Sequence, residues 1–143
     1  MMAGIRGKNT RPEILIRKVL HRAGLRFRMH VGELPGKPDI VLPRWRAVIQ
    51  VQGCFWHGHD CHLFRLPKTR REFWEAKIAG NRARDAAARA ALAEFGWRQL
   101  EVWECALKGR TRLSSGVVDT QILVWVRSPS VSAEIRGRHE IAA

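Results

Sequence analysis

Apolar residues along this chain fall into two periods, and the switches between them mark out its elements. Thr10-Arg11-Pro12-Glu13 has the pattern of a capping box, with Thr10 as N-cap, Glu13 three places on and proline in the first turn. It opens a predicted helix that runs to Gly24, with an apolar stripe of Leu15, Val19 and Leu20. Leu25, Phe27, Met29 and Val31 then alternate with Arg26, Arg28 and His30, the period of a half-buried strand. After turn residues at 33–38, short strands are predicted over 39–42 and 47–52, joined by a turn at 43–46. Three strands connected so tightly make an antiparallel meander. Thr69-Arg70-Arg71-Glu72 reads as a second capping box, opening a long alanine-rich helix to about Phe95 that stops at Gly96. Alternation returns from Trp97 to Trp103, in a strand that a helical crossover sets parallel to one of the meander strands. Residues 109–116 are loop, and the spacing of Val117, Ile122 and Val124-Trp125 predicts a last helix to Arg127. The fold class is α/β, a mixed sheet flanked by helices, in one domain over 1–127 with a mobile tail over 128–143.

Composition adds a partner to this outline. A chain of 143 residues can bury a real core without disulfides. Its 26 Lys+Arg against 13 Asp+Glu leave a charge of +13, which points to a polyanion, nucleic acid first. A ribosome-bound or merely soluble basic protein is the plainer alternative. Six tryptophans and no tyrosine suit stacking on bases, although core packing is the common use of tryptophan. Three cysteines, Cys54, Cys61 and Cys105, make a poor disulfide framework and a better set of reduced, metal-bound thiolates. With no apolar run of transmembrane length and no signal-type segment, the expected setting is a cytoplasmic monomer with no membrane partner.

The densest chemistry lies in Gly53-Cys54-Phe55-Trp56-His57-Gly58-His59-Asp60-Cys61-His62. Cys54-x4-His59-x-Cys61 is a compact ligand hairpin, and Cys105 at the end of the far strand is a plausible fourth ligand. Structural zinc takes four tetrahedral N/S ligands, and a closed set of four leaves no position for catalysis. Ordinary buried thiols are the alternative. The run of histidines also invites comparison with the H-x-H-x-D-H metal motif of metallo-β-lactamase-type hydrolases. Its aspartate is one place early and a cysteine sits where the aspartate belongs, so that reading fails. Pro38-Asp39 before a hairpin and a buried strand matches the first half of the PD-(D/E)xK nuclease pattern. The second half, an acid-x-lysine on that strand, is replaced by Gln50-Val51-Gln52.

Taken together, Pro-Asp, Gly-Cys-Phe-Trp-His, His-x-Cys, Thr-Arg-x-Glu-Phe-Trp and Val-Trp-Glu-Cys resemble the very short patch repair (Vsr) DNA mismatch endonucleases, over about residues 2–127. The resemblance implies a zinc-bearing variant of the PD-(D/E)xK fold that nicks one strand of double-stranded DNA 5′ to the thymine of a T:G mismatch. Mismatch-repair proteins are then candidate partners. It further implies Asp39 and the Val51 backbone carbonyl as ligands of catalytic Mg²⁺, a role that needs no acidic side chain at 51. His57 matches the family's general acid/base, and Glu13 a glutamate near the metal waters, with helix capping as its other reading. Asp85 matches the carboxylate that orients the histidine, with an ion pair to Arg89 as its other reading. Cys54, His59, Cys61 and Cys105 match the Zn²⁺ set. Phe55, Trp56 and Trp74 match aromatics that wedge into the duplex, against simple packing around the zinc loop. Met2 matches a methionine entering from the opposite groove, in an N-terminal arm that is short here. Lys77, Asn81 and Arg82, sharing a helix face with Asp85, are candidate DNA contacts. Gln52 departs from the family, whose well-known members carry a titrating histidine there. Two rival readings follow: a related nuclease in restriction or phage defence, and a non-catalytic zinc module that binds DNA.

Overall fold

The computed structural model describes residues 10–138. Helix α1 spans Arg11–Arg22, and the Thr10 hydroxyl accepts the Glu13 N–H at 3.4 Å, so the first capping box starts the helix as expected. Its buried face is Glu13, Ile16, Val19 and Leu20, and Leu15 is 38% exposed. Val19 and Leu20 of the predicted stripe are buried, and Ile16 stands where Leu15 was expected. Positions 13, 16 and 20 stack at the i, i+3/i+4 spacing, and that stripe carries the Glu13 carboxylate inward along with two core residues.

The sheet has five strands in the order β1-β2-β3-β4-β5. They are β1 (Arg28–Met29), β2 (Ile40–Leu42), β3 (Ala47–Gln52), β4 (Arg98–Trp103) and β5 (Ser132–Ile135). The first three form the expected antiparallel meander, with Ile40 opposite Ile49 and Leu42 opposite Ala47. The turn between β2 and β3 is one 3₁₀ turn, Pro43–Trp45, closed by Arg46 in the left-handed region at φ 50°. Strand β1 is shorter than the alternation predicted because His30 also turns left-handed, at φ 49°.

Helix α2 (Arg71–Glu94) crosses over so that β4 lies parallel to β3, with Gln50 opposite Glu101 and Gln52 opposite Trp103. The second capping box does not form. Arg70 is the N-cap, in the left-handed region at φ 56° and with no side-chain cap, so Thr69 stands one residue too early.

Helices cover both faces of the sheet. Ile40, Leu42, Ala47, Ile49, Leu100 and Val102 pack with Ile16 and Leu20 of α1 and with Ile122 and Val126 of α3 (Ser115–Val126). The alternate residues Val41 and Val48 pack with Leu92 of α2. Double-sided burial accounts for the nearly unbroken apolar run of β3.

The stretch expected to be a mobile tail instead supplies β5, parallel to β4, with Leu100 opposite Ala133 and Val102 opposite Ile135. Arg98 fastens it. Its guanidinium donates to the carbonyls of Trp45, Trp125, Val126, Ser128 and Ser130 at 2.7–3.2 Å, capping the end of α3 and the approach to β5. Beyond β5, Arg136 donates to the Asp60 carboxylate at 2.8 Å and to its carbonyl at 3.0 Å. The Arg138 N–H donates to Thr111 O at 2.7 Å. No helix among the described residues is long and apolar enough to cross a membrane.

Candidate active site and metal centre

Asp39 immediately precedes β2 and lines a cleft of about 930 Å³, together with Glu13, Val51, Gln52, His57 and Asp85. Its Oδ2 accepts the Val51 N–H across the hairpin at 2.7 Å. Burial raises the Asp39 pKa to about 7. The Val51 hydrogen bond opposes that rise, the nearby Glu13 charge adds to it, and His57 and Arg17 pull it back. Glu13 reaches the same place from α1. Its Oε1 lies 3.1 Å from Arg17 Nη2 and 3.2 Å from His30 Nε2, and His30 Nδ1 stands 4.0 Å from Asp39 Oδ1. The Glu13 N–H is capped by Thr10, and its carboxylate lies close to Asp39.

Ligand atoms of Glu13, His30 and Asp39 lie within 4.8 Å of one another, a grouping that could hold a metal ion. Sequence reasoning missed His30. Alternation put it on a face with Arg26 and Arg28, and only the left-handed backbone at that residue turns it out of the pattern.

On the other side of the cleft, His57 Nδ1 meets Asp85 Oδ2 at 2.5 Å. Asp85 comes from α2, and its alternative partner Arg89 pairs instead with Glu101 at 3.1 Å. The His57 loop needs Gly58, whose φ is +61° and where a Cβ would come within 2.7 Å of Ile78 Cγ2. Gln52 Nε2 donates to Glu101 Oε2 at 3.3 Å, which leaves its carbonyl oxygen as the free acceptor of that amide.

Behind this cleft, Cys54, His59, Cys61 and Cys105 bring one ligand atom each within 4.8 Å of the others, and all three cysteines are free thiols. Tetrahedral ligands at about 2.0–2.3 Å from an ion stand roughly 3.3–3.8 Å apart. His59 Nδ1 lies 3.6 Å from both Cys54 Sγ and Cys105 Sγ, so the set fits such an ion. Burial pushes the Cys54 and Cys105 thiols up, so a cation is what would hold them as thiolates. Two backbone donors already point at sulfur: Cys105 N–H to Cys54 Sγ and Gly137 N–H to Cys105 Sγ, both 3.3 Å. Burial, with Arg136 adding, lowers the His59 pKa and keeps the ring neutral, as a ligand must be. That ring stacks on Trp103 at 3.9 Å.

Beside the thiol set, Phe55, Trp56 and Trp74 form a cluster of edge contacts 5.2–5.8 Å between centroids. Phe73, 46% exposed, extends it to the surface. Lys77 and Arg82 lie exposed on α2. Asn81 is committed elsewhere: its Nδ2 donates to the Trp56 carbonyl at 2.8 Å and fixes the aromatic loop on the helix. Met2 lies outside the described residues.

The architecture has relatives. A family model described as DNA mismatch endonuclease Vsr matches residues 1–63. The DNA mismatch endonuclease Vsr of Escherichia coli is 42% identical over 143 residues, spanning 99% of this chain and 92% of its own. The chain belongs to the Vsr family. Other Vsr-like relatives are the type II nicking enzymes V.XorIIP of Xanthomonas oryzae, 54% identical over 75% of this chain and 79% of its own, and V.NmeAIP of Neisseria meningitidis, 41% identical over 77% and 79%. Membership in the Vsr family makes the cleft, with its buried carboxylates and its histidine–aspartate pair, the natural candidate for the reacting centre.

Proposed function

We propose that this protein is a Mg²⁺-dependent endonuclease of the PD-(D/E)xK type. It cuts one strand of duplex DNA 5′ to the thymine of a T:G mismatch, the lesion left when 5-methylcytosine is deaminated. The observation that carries the reading is that Asp39 and Glu13 line the same cleft as the His57–Asp85 pair, and that the loop holding His57 also carries Phe55 and Trp56 of a half-buried aromatic cluster. A buried carboxylate whose charge the protein alone poorly supports suits a cation. In this reading Asp39 and the Val51 carbonyl hold Mg²⁺, and Glu13 faces its waters. When bound, the ion polarises the scissile phosphate and makes hydroxide available near neutral pH.

The chain's own residues do the rest. Asp85 fixes the His57 ring through Nδ1, which leaves Nε2 to move the proton as the bond to the leaving oxygen breaks. Gln52 cannot titrate, and its free carbonyl oxygen positions water. Phe55, Trp56 and Trp74 enter the stack beside the mismatch, where unstacking costs least. Lys77 and Arg82 contact phosphates, and Asn81 holds the loop that carries Trp56. Zinc on Cys54, His59, Cys61 and Cys105 ties that loop to the end of β4. The type II nicking enzymes among the relatives, together with Gln52, favour a second reading, as a related nuclease acting in restriction or phage defence rather than on T:G mismatches.

A nicking assay decides. A labelled duplex with one T:G mismatch in a CTWGG-like context is compared with its matched C:G counterpart, in Mg²⁺ or EDTA, for wild type and Asp39→Ala. The expected result is one Mg²⁺-dependent cut 5′ to the mismatched thymine, lost in the variant. Equal cutting of both duplexes would favour the restriction context, and binding without cutting would leave a DNA-binding zinc module.

A further inference from the structure

The Asp39 site contains a side chain that a carboxylate-and-carbonyl magnesium site does not need. His30 stands just past the end of β1 in the left-handed region, at φ 49°. Its N–H donates to the Asp39 carbonyl at 3.1 Å, so the same residue that bends the strand is tied to Asp39. The ring then reaches Glu13 Oε1 through Nε2 at 3.2 Å.

Arg17 shows where these atoms aim. Its Nη2 lies 3.1 Å from Glu13 Oε1 and 3.3 Å from His30 Nε2. A guanidinium has only hydrogens to offer, so both atoms present lone pairs to it. An oxygen and a nitrogen therefore converge on one cationic point beside Asp39. Ligands about 2.1 Å from an octahedral ion stand roughly 3–4.2 Å apart. His30 Nε2 and Glu13 Oε1 are 3.2 Å apart, and one ligand atom from each of the three residues lies within 4.8 Å of the others.

We propose that His30 supplies a third protein ligand to the ion at Asp39, giving an oxygen–nitrogen site that takes Mn²⁺ and similar first-row ions more tightly than Mg²⁺. This rests on Asp39 being the metal carboxylate. The chemistry follows from the donor: Mg²⁺ keeps oxygen ligands and waters, whereas affinity for an imidazole rises along the first-row series. Binding would move Arg17 Nη2 off the two atoms that it bridges.

The test uses the full chain with Zn²⁺ in the thiol centre, titrated with Mn²⁺ and followed by electron paramagnetic resonance. Pulsed spectra of the bound Mn²⁺ are expected to show one directly coordinated ¹⁴N in wild type and in His57→Ala. In His30→Gln that coupling disappears and Mn²⁺ affinity falls about tenfold or more, while the Mg²⁺ requirement changes far less. Wild-type Mn²⁺ lost in Asp39→Asn but lacking ¹⁴N coupling would overturn the inference, leave Asp39 in its role and reduce His30 to a hydrogen-bond partner of Glu13. Mn²⁺ bound equally well by Asp39→Asn would overturn the assignment of the Asp39 site as well. Because the wild-type spectrum itself decides, a folding defect in His30→Gln leaves the test intact.

Discussion

Burial beside Glu13 lifts the Asp39 pKa to about 7, so the folded chain keeps a proton that the unfolded chain gives up near pH 4. Between those values the unfolded state binds fewer protons, and stability falls as pH rises, by at most about 4 kcal/mol at pH 8. Asp39→Asn removes that penalty while its amide oxygen can still accept the Val51 N–H. With Zn²⁺ present and Mg²⁺ withheld, the variant is expected to melt several degrees above wild type at pH 8 and level with it at pH 4. Thermal melts at the two pH values check this, and no gain at pH 8 would mean that the carboxylate is not strained. At this scale the sequence was readable in which residues come together: Asp39 and His57 line one cleft, and the three thiols gather with His59. It was unreadable where backbone conformation decides, as with His30, or where one step around a helix exchanges Leu15 for Ile16.

Two cross-links hold the elements in place. The first is the thiol–imidazole set, which joins the loop after β3 to the end of β4. Cys105→Ser is expected to lower bound zinc below one per chain by elemental mass spectrometry. It also lowers the melting point, because binding energy at a structural site is folding energy. The second is Arg98, whose five carbonyl contacts need a planar fork. Arg98→Lys leaves several of those carbonyls without their donor. It should cost about 2 kcal/mol or more in chemical denaturation, with protection of the β5 amides lost first in hydrogen exchange. The meander and the parallel β4 were legible because period and turn residues agree there. Helix α3 formed as expected, but Val117 and Val124 of the spacing it was read from are exposed, and Val118 and Val126 are buried instead. Strand β5 was not: Ser132-Ala133-Glu134-Ile135 has one buried apolar side chain, and its place depends on contacts made by Arg98 from a distant strand. Thr69 likewise has the residue type of a cap, and the left-handed Arg70 overrides it.

Across the whole molecule the excess of 26 basic over 13 acidic residues sets how tightly DNA of any sequence is held. Each phosphate contact releases condensed counterions, so a protein making six to ten of them loses roughly 10³–10⁵ in affinity between 50 and 200 mM salt. Fluorescence anisotropy on matched duplex is expected to give a loss of about 10³-fold over that range. The ratio of mismatched to matched affinity should change little, because the base stacking proposed for Phe55, Trp56 and Trp74 would release no counterions. A flat salt response would mean that the basic surface does not carry binding. The thiol centre also has a consequence in time. Cys54, His59 and Cys61 leave the ribosome together, whereas Cys105 follows more than forty residues later and the Gly137 N–H that supports it later still. At about 5–20 residues per second, the nascent loop spends several seconds with two thiols exposed and the third ligand thiol not yet made. An ion held by this set would therefore be incompletely ligated during synthesis, and the two early thiols would need a reducing milieu until Cys105 joins them.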